Sequence, residues 1–131
     1  MTDSKRLTQL TQLTEIRLQA EQAKMKEILA REARLRKNLT DLTQRVSDEQ
    51  RAARRLDTPA KLARADVQWE AWVDQRRKII NVELAQVLAQ KDVIRSRLKL
   101  AFGKDTAANA LQVQAVETAK QTLRRRSDYA S

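Results

Sequence analysis

Apolar residues recur every seven positions through the second half of this chain, at Val73, Ile80, Val87, Ile94 and Ala101. Arg77, Leu84, Lys91 and Leu98 fall between them at alternating steps of three and four. The first half carries a matching ladder: Ile28, Glu32, Leu35, Leu39, Leu42, Val46, Glu49, Ala53 and Leu56. A 3.5-residue apolar period keeps one seam of a helix turned toward a partner helix. Two such ladders separated by a proline predict two long helices zipped into an antiparallel coiled-coil hairpin. The fold class is all-α, and the chain reads as a single coiled-coil domain spanning 1–131.

The turn is predicted at Asp57-Thr58-Pro59. Either Asp57 or Thr58 can cap the second helix, and Pro59 suits a first helical turn, where a missing N–H costs nothing. The residue before a proline disfavours helical geometry. The first helix is therefore placed at about 4–56, the turn at 57–59 and the second helix at about 60–126. Gly103 is the chain's one glycine. A helix end there, with Asp105 or Thr106 capping a third segment, and a glycine carried inside one unbroken helix are both open readings.

The opening Leu7, Leu10, Leu13 and Ile16 repeat every three residues instead. Each step slips about 60° around a helix of 3.6 residues per turn, so these side chains wind around it and form no seam. With threonines between them, they predict a frayed or partner-dependent start to the first helix, the strict ladder beginning near Ile28.

Antiparallel folding about residue 61 or so sets the seam acid Glu32 level with the seam base Lys91. It brings Glu49 within about a helical turn of Arg77. Such pairs would fix register at some cost in stability. Outward snorkelling of all four side chains accounts for the same residues equally well.

Composition narrows the chemistry. One glycine, one proline and 3% aromatic residues in 131 are too few turn and core residues for an ordinary globular domain. The 41% of hydrophobic residues, set in period, is too many for a disordered coil. No histidine or cysteine is present, which removes imidazole chemistry, thiolate chemistry and disulfides and fits a reducing compartment. There is no glycine-rich phosphate loop and no nucleophile elbow. No catalytic, cofactor-binding or metal-ligating residues are assigned, and the expectation is a protein without enzymatic activity or cofactor. The start of the chain is polar, and no apolar run reaches the length of about 20 residues that a membrane span needs.

The net charge of +10 favours acidic partners. Basic residues cluster at 34–37, 51–55, 76–78 and 124–126. They are interleaved with acids, and no aromatics alternate with them as stacking platforms would. Solvated flanks are the better reading, and nucleic acid is disfavoured as a partner.

Trp69 and Trp72 are the only tryptophans. Trp69 lies about 40° from Val73 around the helix, near the seam, whereas Trp72 lies about 100° away. Trp72 is thus either an anchor for a partner or a cover folded over Leu56 and Leu62 at the hairpin end.

Trp69-Glu-Ala-Trp72-Val73, the later Arg97-Leu-Lys-Leu-Ala-Phe102 and the basic tail ending Ser127-Asp128-Tyr129-Ala130 resemble, in order and spacing, the FliJ-type stalk family of bacterial flagellar and related type III export machines. The resemblance covers most of the chain. It implies a cytoplasmic component, peripheral to the membrane export apparatus, whose paired-helix end inserts into the hexameric export ATPase. It also implies contact with the transmembrane export gate through an aromatic face, which Trp69 and Trp72 match, and engagement of export chaperones. Arg76 stands where family members carry an apolar residue beside that face. For the ATPase ring the candidates are Leu7, Leu10, Leu13 and Ile16 with Arg124, Arg125 and Arg126. The competing readings are a basic coiled-coil nucleic-acid-binding protein and a purely structural spacer or phage scaffold. Whether the export system would be flagellar or a virulence type is left open by the residues.

Overall fold

The computed structural model describes the backbone of residues 2–55 and 59–130, and the side chains of 3–55 and 67–130. The chain is an all-α hairpin of two helices packed against each other, α1 (Thr2–Ala53, 52 residues) and α2 (Pro59–Ala130, 72 residues). Arg54 and Arg55 form the turn that closes α1, the amide of Arg54 donating to the carbonyl of Gln50 at 3.2 Å. α1 therefore ends three residues before the expected position, and α2 runs four residues past 126. The expected caps, Asp57 and Thr58, lie outside the described residues, as does Leu56.

Packing divides the chain into two units, residues 1–26 with 93–131 and residues 27–92. In the second unit the ladder forms the core: Ile28, Leu35 and Leu42 of α1 bury against Val73, Ile80 and Val87 of α2. Contacts at Arg31–Gln90 and Arg45–Trp72 run in opposite chain directions, so the pair is antiparallel. Glu32 meets Lys91 as the register requires. Lys91 Nζ donates to Glu32 Oε2 at 2.9 Å, and Arg36, one turn on, donates to Oε1 at 3.1 Å from Nη2.

The predicted Glu49–Arg77 pair is absent. Glu49 is exposed, and no ion pair joins the two among the described residues. The seam near the turn passes through Val46, Ser47 and Ala53 instead. Across from it Trp69, Val73 and Arg77 are spaced four and four, where a heptad needs three and four. A four-and-four step is the spacing of a stutter, which locally unwinds a coiled coil and rotates its facing surfaces, and Glu49 lies on the outside of this stretch.

The first unit corrects the reading of the N-terminal stretch. α1 is regular from Thr2, and its seam continues in step through Leu7, Thr11, Thr14, Leu18, Glu21 and Met25. Half of this seam is polar: Thr11 and Thr14 are half-buried like Leu7, Leu18 and Met25, and Glu21 is buried. Thr14 donates its hydroxyl to Asp105 Oδ1 at 2.9 Å, and Gln112 Nε2 donates to Thr8 Oγ1 at 3.4 Å, again in antiparallel order. Thr8 and Thr11 bond back to the carbonyls of Ser4 and Thr8, which satisfies their hydroxyls within the helix.

On α2 this unit buries Ala101 and Ala108. The helix runs unbroken through Gly103, whose φ is negative. A Cβ there would meet nothing within 4 Å. The glycine costs about 1 kcal/mol relative to alanine, too little to end a helix this well packed on either side. Asp105, one reading's cap, is a seam residue.

Lys91 and then Arg36, by hydrogen bonds to its carboxylate, hold Glu32 below its ordinary pKa of 4.5. A carboxylate whose pKa is lower folded than unfolded stabilises the fold above the ordinary range and loses that contribution as pH falls through the lowered value. Thermal melts should therefore hold from neutral pH to about 5 and drop below it, and Glu32→Gln should drop less steeply. Equal acid-side slopes would show that Glu32 is not a stabilising carboxylate.

Candidate partner-binding faces

Trp72 stands in the 27–92 unit on the outer edge of the α1–α2 seam. The residue is 46% exposed. Its neighbour Trp69 is half-buried and turned toward the seam. Helical spacing separates the two: Trp69 sits one turn before buried Val73, while Trp72 is rotated about 100° from it. The Arg45 guanidinium lies over the Trp72 ring, 5.6 Å from its centroid. Asp41 and Arg76 line the same cleft of about 160 Å³, whose floor is formed by the seam residues Leu42 and Ile80.

This cleft offers a partner a flat apolar ring, two guanidinium groups and one carboxylate. Arg45 covers one face of the ring, and the cation–π contact holds it in place. The remaining edge can enter an apolar pocket of another protein, the geometry typical of an interface anchor. The alternative role as a cover over Leu56 and Leu62 rests on residues whose side chains lie outside those described.

The ring-binding candidates fall in the other unit. Leu7 is half-buried in the seam, whereas Leu10, Leu13 and Ile16 point outward at 39%, 65% and 63% exposure. The three-residue repeat therefore straddles the seam: one leucine packs inside and three apolar side chains remain outside. Arg124, Arg125 and Arg126 are all exposed, as is every residue from 116 to 130. On the outer side of α2, Val113, Val116 and Leu123 are likewise at least half exposed.

Two features escaped sequence reasoning. Arg45 carried no motif, and its role appears only once the register sets it over Trp72. A groove of about 400 Å³ in the first unit gathers Arg17, Lys24, Arg97 and Lys104 around the buried acid Glu21. Its signal lay in the heptad: all four bases occupy the same flanking position, immediately before the half-buried seam residues Leu18, Met25, Leu98 and Asp105, and antiparallel pairing sets that flank of one helix against the same flank of the other.

Among the described residues no cluster of acids could hold a metal ion, and no helix is long and apolar enough to cross a membrane. Comparison with protein-family models, with curated proteins and with solved structures finds no match to this chain.

Proposed function

We propose that this chain is a non-enzymatic coiled-coil stalk of a bacterial flagellar or related type III protein export apparatus, working at the cytoplasmic side of the membrane machinery. In this role the 1–26/93–131 unit engages the hexameric export ATPase and the Trp72 cleft engages the export-gate protein, with export chaperones as further partners. The observation that carries the reading is the exposure of Leu10, Leu13 and Ile16 on a helix whose own seam is already closed by α2. An apolar surface winding around the outside of a closed two-helix pair suits a surrounding sleeve of protein.

The test is assembly with a purified export ATPase. The parent chain should co-elute with the hexamer. Leu10→Gln/Leu13→Gln/Ile16→Gln should bind about tenfold or more weakly, because apolar anchors dominate such contacts. Its melting temperature should stay close to the parent's, since all three side chains are exposed. A parent chain that does not associate with the hexamer would sink the stalk reading. Steeply salt-dependent retention on duplex DNA would favour the nucleic-acid reading in its place.

A further inference from the structure

Arg17 and Lys24 on α1, and Arg97 and Lys104 on α2, wall one groove of the 1–26/93–131 unit, with Ala20, Glu21 and Ala101 lining it between them. The register that joins Thr14 to Asp105 sets Arg17 beside Lys104 and Lys24 beside Arg97. Flanks of a coiled coil ordinarily pair opposite charges, because like charges at that range destabilise the helices they join. Here like faces like twice. Among the described residues no ion pair engages Arg17, Arg97 or Lys104, and Lys24 lies 3.7 Å from Glu21 Oε1.

Glu21 is the second anomaly. It occupies an inner seam position at 4% exposure, where an apolar residue would pack, and its Oε2 is buried with no hydrogen-bond partner. A buried carboxylate oxygen left unsatisfied costs more than the pairing of a satisfied one returns. Both anomalies destabilise the isolated hairpin, and both are relieved by one kind of occupant: a segment that brings carboxylates to the four bases and an N–H donor to Glu21.

We propose that this groove is the docking site for an acidic helix of a partner protein, with carboxylates seven residues apart and a hydrogen-bond donor such as glutamine between them. The spacing follows from the walls. Arg17 and Lys24 are two helical turns apart, as are Arg97 and Lys104, about 10.5 Å in each case. A third helix lying along the groove matches that interval with its own seven-residue step. Lys24 is 53% exposed and swings toward an incoming carboxylate, which uncovers Glu21 for the donor. A duplex phosphate backbone also satisfies four cations, but it brings only acceptor oxygens to a buried carboxylate. Glu21 therefore selects an acidic protein segment over nucleic acid. This site is separate from the Trp72 cleft and does not depend on the export reading.

The probe is a fluorescein-labelled alanine-rich helix carrying two glutamates seven residues apart with a glutamine between, set against a labelled DNA duplex, both read by fluorescence anisotropy. The helix should bind the full chain and weaken as salt rises to about 300 mM, because part of the attraction is screened. Arg97→Gln/Lys104→Gln should bind it about five- to tenfold more weakly. That variant should melt no lower than the parent, since it removes like-charge contacts. Glu21→Leu should melt higher, by filling the seam, and yet bind the helix more weakly. Unchanged binding in the Arg97/Lys104 variant, or helix binding by Glu21→Leu as tight as the parent's, would overturn the proposal. So would an absence of helix binding by the parent, or tighter binding of the duplex than of the helix.

Discussion

Ile80→Asp/Val87→Asp is expected to lose most of its helical signal in far-UV circular dichroism at temperatures where the parent chain is folded. Val87 has no exposed surface and Ile80 retains 5%. Both face α1 across the seam, in the core they form with Ile28, Leu35, Leu42 and Val73. An aspartate at either position loses that packing and buries a charge with no partner, at a cost of several kcal/mol each. The total stability of a domain this size is about 5–15 kcal/mol, so two such substitutions leave little or none. The control carries the same chemistry on the opposite face. Ile79→Asp/Val82→Asp alters side chains that are 45% and 58% exposed, and should shift stability by no more than about 1 kcal/mol. Should the seam variant melt with the parent, or the two variants melt alike, the assignment of inner and outer faces is wrong.

That assignment was legible wherever the seam is apolar. Ile28, Leu35, Leu42, Val73, Ile80 and Val87 announce themselves by a seven-residue step, and each is buried. Glu32 and Lys91 were legible for a different reason: opposite charges equidistant from a turn meet when the chain folds there. The seam between Leu7 and Met25 was not, because Thr11, Thr14 and Glu21 break the apolar period while keeping the geometric one. A half-buried threonine hydroxyl identifies itself as part of a seam only beside its acceptor, and Asp105 lies ninety-one residues away in sequence. Glu49 failed in the reverse sense, holding a place in the period while the four-and-four step at Trp69, Val73 and Arg77 rotates the seam past it.

The candidate faces divide in the same way. Trp72 stands out by its angle from Val73, and Leu10, Leu13 and Ile16 by their three-residue step. The groove around Glu21 was hidden because Arg, Lys and Glu are the ordinary solvated residues of any helix. Their pattern acquires meaning only when an antiparallel register sets base against base. A helix-favouring composition thus conceals a charged site more effectively than it conceals a core.

Trp72→Ala should leave the helices intact and, under the proposed export role, weaken binding to the cytoplasmic domain of the export gate by about 30-fold. Truncating an aromatic anchor at an interface centre typically costs about 2 kcal/mol or more, which is that factor. The free protein loses little, because the residue is 46% exposed and its one clear partner is the Arg45 guanidinium at 5.6 Å. A cation–π contact at so open a site is worth about 0.5–1 kcal/mol. Trp69→Ala reverses the two effects. That ring is half-buried and turned toward the seam, so its loss should cost about 2 kcal/mol of stability and lower the melting temperature. Once refolded below its melting point, the Trp69 variant should bind the gate domain much as the parent does. Circular dichroism melts and titration calorimetry on the two variants separate the roles. If Trp72→Ala melts as low as Trp69→Ala and binds the gate domain like the parent, Trp72 is a packing residue and the cleft beside it is no anchor.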